Sequence, residues 1–212
     1  MAPAVLGPAF ASALQWLSHA HRDQHRKGKP TVPYVSHLIG VASLVLEAGG
    51  TETEAVATLL HDAIEDQDVT AADIRARYGA RVEEIVVACT DNVDDDDTTK
   101  TRGAANWHAR KESYLAYLKV EHDAGILLVT AADKLHNARA MVADLRTGEL
   151  AWTTFNAPPA DQLWYYGSLC DVFRGRIPEY IDRELQAAVT EIVRLTDVTV
   201  ETVAWFEAHP SA

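Results

Sequence analysis

Apolar residues recur at helical spacing along most of the chain. In the segment 34–48, Leu38, Val41 and Val45 form one stripe, which is typical of a helix with a buried face. We find no alternation of apolar and polar residues long enough to require a strand. The pattern predicts an all-α protein, a bundle with helices over 8–26, 34–48, 51–65, 70–79, 82–89, 107–119, 124–145, 160–174, 178–195 and 198–208.

Two of these helices begin with a clear N-terminal signal. Thr51 is followed by Glu54, and Thr70 by Asp73, which is the spacing of a capping box. The short apolar run at 126–129 also fits a strand, but the pattern that continues to residue 141 favours helix. Two prolines and a glycine over 28–33 predict a loop.

The segment 91–106 is predicted to be a second loop. It contains four consecutive aspartates at 94–97, which repel one another and disfavour regular structure. A calcium loop of the EF-hand type would need alternating carboxylates, a glycine between them and a final glutamate. We therefore interpret 91–106 as a solvated connection.

Length and composition suit one ordinary globular domain. The chain has 212 residues, 48% of them apolar and 24% charged, so we expect a single domain over 1–212. Its motif-bearing core is expected at about 14–175, and C-terminal helices at about 178–208. The chain contains no apolar stretch of about 18 residues and does not start like a signal peptide. With Cys89 and Cys170 interpreted as reduced core residues, these features predict a cytoplasmic protein that does not contact membranes.

The charge of the chain restricts its partners. A net charge of −12 repels nucleic acid, so no nucleic-acid partner is expected. An anionic ligand would require a local cluster of basic residues or a metal ion. The sequence leaves the oligomeric state open.

Polar residues interrupt an apolar helix at 60–66, which reads LHDAIED. On a continuous helix, His61, Asp62 and Glu65 would share one face, and Asp66 would lie four residues after Asp62. Carboxylates this close raise one another's pKa values unless a positive charge lies among them. The helix therefore either ends at the surface with solvated carboxylates or contributes to a cation site.

A second segment, ILLVTAADKLHNARAM at 126–141, favours the cation site. Asp133 follows an uncharged stretch over 124–132, where an unpaired carboxylate would be costly. His136 and Asn137 lie on the same helical face as Asp133. His37 lies on the apolar stripe of 34–48, although a lone core histidine is more often a hydrogen-bonded bystander than a ligand.

Together these segments supply two imidazoles and two carboxylates: His37, His61, Asp62 and Asp133. Such mixed ligands suit a divalent ion, with Mn²⁺ favoured over Fe²⁺, Zn²⁺ and Mg²⁺. We expect one ion per chain. An ion of this kind acidifies its water and neutralises charge on a phosphoryl oxygen.

The same segments resemble the HD phosphohydrolases, and more closely the hydrolase domain of RelA/SpoT proteins and the small alarmone hydrolases. The matching stretches are HRDQHRKGKPTVPYVSHLIGVA (21–42), ATLLHDAIEDQDVTAADIRARYGARVEEIV (57–86) and LVTAADKLHNARAM (128–141). The resemblance implies an all-helical, Mn²⁺-dependent enzyme of the stringent response. Such an enzyme removes the 3′-pyrophosphate of guanosine tetra- and pentaphosphate (ppGpp and pppGpp), giving GDP or GTP and pyrophosphate.

The resemblance also implies roles for individual residues. The metal ligands would be the four residues already singled out: His37, His61, Asp62 and Asp133. Glu65 and Asp66 would serve the attacking water and the leaving group, and Asn137 would lie near the attacked phosphate.

Basic and aromatic residues are expected to hold the nucleotide. By resemblance, Arg26 and Lys27 contact it, and Tyr165 helps to hold the nucleoside. Because their side chains are positively charged, we also expect Lys134, Arg139 and Arg110 to lie near the anionic nucleotide. The acidic segment 91–106 departs from relatives that carry lysines there.

Metal chemistry that many HD proteins share leaves two alternatives open. One is an HD nucleotide phosphohydrolase of other specificity, for example an NADPH phosphatase. The other is a non-catalytic module that senses a nucleotide. The intact set of candidate ligands and the presence of Glu65 favour an enzyme.

Overall fold

Helices form nearly all the regular structure in the computed structural model, which describes residues 5–67, 69–90, 106–150 and 152–196. The elements are α1 (Pro8–Ala20), β1 (His25–Arg26), β2 (Lys29–Pro33), α2 (Val35–Glu47), α3 (Glu52–Leu60), α4 (Ala63–Asp66), α5 (Ala71–Tyr78), α6 (Ala80–Cys89), α7 (Trp107–Val120), α8 (Ala124–Thr147), α9 (Pro159–Phe173) and α10 (Glu179–Leu195). A short 3₁₀ turn covers Trp152–Thr154. The predicted all-α class is confirmed. The predicted helix over 198–208 and the loop over 91–105 lie outside the described residues.

Both predicted capping boxes are present. The Thr51 hydroxyl accepts a hydrogen bond from the Glu54 backbone N–H, and the Glu54 carboxylate accepts one from the Thr51 N–H at 2.6 Å. Thr70 and Asp73 make the same reciprocal pair at the start of α5. Each box satisfies two backbone donors that a helix N-terminus otherwise leaves without partners.

The loop predicted over 28–33 was wrong, because Lys29–Pro33 forms β2 and pairs antiparallel with β1. The turn between the strands uses Gly28, whose φ of 76° favours glycine. α1 correspondingly ends at Ala20, not at residue 26. β1 has only two residues, and β2 contains two prolines, which are uncommon in strands. Neither strand therefore shows an alternation of apolar and polar residues that sequence analysis could detect.

The continuous helix predicted over 51–65 was also wrong. α3 ends at Leu60, and α4 starts only at Ala63. His61 keeps a helical backbone, but Asp62, with φ −97° and ψ −1°, lies in the bridge region of backbone space. Local turn geometry, and not the face of an unbroken helix, therefore presents the His-Asp pair.

The described residues form two compact units. The first comprises those within Met1–Thr90 and Asp123–His136, and the second those within Asp91–His122 and Asn137–Ala212. In the first unit α3 packs against α1, α2 and α6, and α5 packs against α6. In the second unit α9 packs against α7 and α10. The expectation of a single domain stays a prediction.

Apolar segments surround the polar residues of the first unit. Ala55–Leu60 of α3 and residues 126–132 of α8 are buried, and α2 buries Leu38, Val41 and Val45 beside His37. Since these helices form a core, each imidazole or carboxylate among them needs a polar or charged partner. Among the described helices, none combines the length and apolar character needed to cross a membrane.

Candidate metal centre

Three buried side chains converge in the first unit. His37 comes from α2, His61 from the turn after α3 and Asp133 from α8, and one ligand atom of each lies within 4.8 Å of the others. Asp133 Oδ1 is 3.2 Å from His37 Nε2 and 3.6 Å from His61 Nε2. Two ring nitrogens and a carboxylate oxygen at this spacing could hold a metal ion.

Asp62 adds a fourth oxygen to this group. Its Oδ2 lies 3.1 Å from His61 Nε2 and 3.6 Å from His37 Nε2. The structure therefore brings together all four residues that the sequence singled out as candidate ligands. Their role as ligands stays a prediction.

The hydrogen bonding of His61 tests whether these residues fit a cation. His61 Nδ1 is 2.7 Å from the Thr58 carbonyl oxygen, which can only accept, so Nδ1 carries a proton. His61 Nε2 is buried and makes no hydrogen bond within the described part of the chain, although Asp62 Oδ2 is close. In the neutral ring, the lone pair of Nε2 faces the two carboxylates. This arrangement fits a cation among them.

Burial and charge act in opposite directions on the ionisable groups. Burial lowers the pKa of His37, although the nearby Asp133 opposes that shift. Burial also disfavours charge on His61, but Asp62 and Asp133 outweigh it and raise the pKa of His61 well above its usual value. A proton on His61 therefore competes with a metal ion for the same position.

The two carboxyl groups remain ionised despite their burial. Burial disfavours the charged form of Asp133, but Lys134 and then the histidines hold its pKa well below the usual value. Burial likewise opposes ionisation of Asp62, while His61 keeps its pKa low. Both carboxylates are therefore ionised at neutral pH and are available as the anionic oxygen ligands that a divalent ion prefers.

Groups behind the candidate ligands fix their orientation. The Tyr34 hydroxyl donates a 2.5 Å hydrogen bond to Asp62 Oδ2, and burial followed by Asp62 raises the pKa of Tyr34, which keeps it a donor. The Lys134 ammonium donates to Asp133 Oδ2 at 2.7 Å, which leaves Oδ1 facing the histidines. Sequence analysis missed Tyr34. Its position three residues before His37 was the available signal.

Asp66 accepts a hydrogen bond from Gln24, which directly precedes β1 and is itself bonded to two further side chains. Gln24 Nε2 donates to Asp66 Oδ2 at 2.8 Å, and Gln24 Oε1 accepts from Gln67 Nε2 at 2.9 Å. The same Gln24 oxygen lies 2.5 Å from His21 Nδ1. Asp66 is exposed, whereas Glu65 beside it in α4 is half-buried. The catalytic roles of the two acids stay predictions.

Part of the predicted nucleotide-binding set also belongs to the first unit. Arg26 lies in β1, with its guanidinium carbon 5.9 Å from the centre of the Tyr34 ring, and Lys27 lies in the following turn. Tyr34 connects this hairpin to Asp62 through its hydroxyl. The β1–β2 hairpin, predicted as the end of a helix followed by a loop, thus presents Arg26 close to Tyr34, the hydrogen-bond partner of Asp62.

The remaining predicted residues, Asn137, Arg139, Arg110 and Tyr165, belong to the second unit. Arg139 donates to Glu184 at 2.7 Å, and Tyr165 is buried with the Lys111 ammonium 4.9 Å from its ring centre. Asn137 continues α8 four residues after Asp133. Their contacts with a substrate stay predictions.

A helical unit in which two helices and the turn after a third bring together His, His-Asp and Asp side chains defines the class of HD-type hydrolases. The family model described as HD domain matches residues 13–156, and the chain belongs to this family. The resemblance stated from the sequence motifs is thereby confirmed.

Relatives in this family have names that specify an activity. The guanosine-3′,5′-bis(diphosphate) 3′-pyrophosphohydrolase MESH1 of Mus musculus is 35% identical over 139 residues, which cover 64% of this chain and 71% of that protein. A solved structure, described as a metazoan ortholog of SpoT that hydrolyzes ppGpp and plays a role in starvation responses, matches with a TM-score of 0.69 and 25% identity. That match covers 88% of this chain and 97% of the other.

A second solved structure supports the same fold. The crystal structure of lmo0812 from Listeria monocytogenes EGD-e matches with a TM-score of 0.62 and 29% identity. The match covers 76% of this chain and 96% of the other.

Proposed function

We propose that this chain is a metal-dependent phosphohydrolase that removes the 3′-pyrophosphate of guanosine 3′,5′-bis(diphosphate) and of the corresponding pentaphosphate. The products are GDP or GTP and pyrophosphate. The observation that carries this proposal is the convergence of His37, His61 and Asp133, with Asp62 beside both rings. The names of the relatives supply the substrate class.

The donor set favours a particular kind of ion. Two imidazole nitrogens and two carboxylates suit a borderline or hard divalent ion, and we propose one Mn²⁺ per chain. When bound, such an ion acidifies water and offsets charge on the phosphoryl oxygens.

Glu65 and Asp66 are proposed to handle the protons. α4 starts directly after Asp62, so Glu65 is three residues from a proposed ligand and is half-buried. Glu65 accepts a proton from the water whose oxygen attacks the phosphorus attached to the 3′ oxygen. The bond from phosphorus to the 3′ oxygen breaks, and the 3′ oxygen takes up a proton through the network that Asp66 supports. The Gln24 amide holds Asp66 for this role.

Basic residues are proposed to offset the substrate's charge within an acidic protein of net charge −12. Arg26, Lys27 and Lys134 act from the first unit. The residues of the second unit proposed to contact the nucleotide or its phosphates are Asn137, Arg139, Arg110 and Tyr165. Guanidinium groups bind phosphate through paired N–H donors or stack on a base, while ammonium groups act as point charges.

A product assay separates this function from its alternatives. The Mn²⁺-loaded protein is incubated in turn with guanosine tetraphosphate, GTP and NADPH, and the products are separated by ion-exchange chromatography. We expect GDP and pyrophosphate from the tetraphosphate, with GTP and NADPH left intact. Orthophosphate from NADPH without pyrophosphate release would support the other phosphohydrolase, and binding without any turnover would support a sensing module.

A further inference from the structure

His37 and His136 contact each other through their Nδ1 atoms in the first unit. The two nitrogens are 2.9 Å apart, and the ring planes meet at 63° with centroids 4.8 Å apart. A neutral imidazole has one N–H donor and one acceptor nitrogen, so one ring donates to the other in this contact. The direction of the hydrogen bond decides which nitrogen of His37 carries its proton.

The other nitrogen of His37 faces the candidate metal centre. Its Nε2 is 3.2 Å from Asp133 Oδ1 and 3.6 Å from Asp62 Oδ2. To offer a lone pair to a cation there, His37 must carry its proton on Nδ1. His136 Nδ1 must then be the acceptor, and the proton of His136 must lie on its Nε2.

Gly40 provides the space that the His136 ring occupies. A Cβ at position 40 would lie 2.3 Å from His136 Nε2 and 2.5 Å from its Cδ2, closer than real Cβ contacts. Gly40 is in the interior of α2, where alanine is normally the more stable residue. The steric contact explains why a glycine is accommodated here, since a larger residue would displace the ring.

We propose that His136, packed against Gly40, is a positioning residue that holds His37 in the tautomer whose Nε2 binds the cation. His136 acts through His37, and Gly40 acts through His136. The inference rests on the metal site of the proposed function, and it extends that function by assigning two residues outside the ligand set.

The first test measures the affinity of metal-stripped protein for Mn²⁺ by isothermal titration calorimetry. His136→Leu removes the acceptor and should weaken binding about 10- to 100-fold, the usual effect of losing a partner behind a metal ligand. His136→Asn places an amide oxygen where Nδ1 was, so its dissociation constant should stay within about threefold of the wild-type value. A purely packing role for His136 would not produce this rescue, because leucine fills more of the ring's volume than asparagine does.

The second test is a double-mutant cycle between the two residues. Gly40→Ala should weaken Mn²⁺ binding about tenfold in the wild-type background. In a His136→Ala background the ring is gone, so adding Gly40→Ala should cause no further loss of affinity and should raise the melting temperature of the helix-rich protein.

The possible results lead to separate conclusions. Equal Mn²⁺ affinity for wild type and His136→Leu, or the same Gly40→Ala loss in both backgrounds, overturns the inference while leaving the proposed function intact. Absence of Mn²⁺ binding by the wild type overturns the proposed metal site and the inference with it. If Gly40→Ala alone does not fold, the comparison of His136→Leu with His136→Asn decides.

Discussion

The Tyr34 hydroxyl donates a hydrogen bond to Asp62 Oδ2, the carboxylate oxygen that also lies 3.1 Å from His61 Nε2. One oxygen thus links a tyrosine at the start of α2 to the turn after α3. This donor orients Asp62 and stabilises its ionised form.

Tyr34→Phe should therefore weaken Mn²⁺ binding about tenfold, as the loss of a hydrogen bond to a ligand typically does. The ring itself remains stacked on His21, with centroids 5.4 Å apart, so the fold should be retained. Calorimetric titration and circular dichroism measure the two effects. The matched control is Tyr117→Phe, which removes a 2.6 Å hydroxyl–carboxylate bond to Glu121 in the second unit and should leave Mn²⁺ affinity unchanged. Equal loss in both variants would contradict a specific role for Tyr34.

Substitutions at Glu65 and His61 should separate catalysis from metal binding. Glu65→Ala leaves the four proposed ligands in place, so it should keep the ion but lose about two to four orders of magnitude in turnover. His61→Ala removes a proposed ligand and should lose the ion as well as the activity. Metal content by plasma mass spectrometry and pyrophosphate release are the two measurements. Equal metal contents and equal rates in the two variants would be incompatible with these roles.

The sequence predicted the elements whose signals are local. Helical periodicity revealed α2 and α8, and threonine–acid spacing revealed the N-termini of α3 and α5. The four candidate ligands emerged because a carboxylate or histidine on an apolar face stands out where burial without a partner is costly. These features depend on residues within one or two helical turns of each other.

Features that depend on turns or distant contacts were not predicted. The β1–β2 hairpin is too short for periodicity, and the break between α3 and α4 at His61 and Asp62 has no glycine or proline to indicate it in the sequence. The contact between His37 and His136 joins residues 99 positions apart. Tyr34 was missed for the same reason, because its partner Asp62 is supplied by another element.

Substitutions in the β1–β2 hairpin test how the substrate is held. If Arg26 stacks on the base, Arg26→Lys should raise KM for guanosine tetraphosphate although the charge is kept, because an ammonium cannot stack as a guanidinium does. Lys27→Ala should weaken binding by an amount that shrinks as ionic strength rises, as expected for an exposed phosphate contact. Steady-state kinetics at two salt concentrations measure both effects. An unchanged KM for Arg26→Lys would exclude the stacking role.

Burial of Cys170 predicts slow thiol chemistry. Burial, followed by the negative charge of Asp171, raises the pKa of the Cys170 thiol to about 12, so the thiol stays protonated at pH 8. Since the thiolate is the reactive form, the folded Cys89→Ala variant should react with Ellman's reagent only slowly, and fully only after denaturation. Fast stoichiometric labelling of the folded variant would show that Cys170 of the second unit is accessible and ionised.

The most direct test of the metal-dependent activity follows pyrophosphate release from guanosine tetraphosphate while Mn²⁺ is added to metal-stripped protein. We expect no turnover without the ion, and activity that rises to a plateau at one ion per chain. The melting temperature should rise over the same range, because a ligand bound only by the native state stabilises it. Full turnover by thoroughly chelated protein would contradict the account.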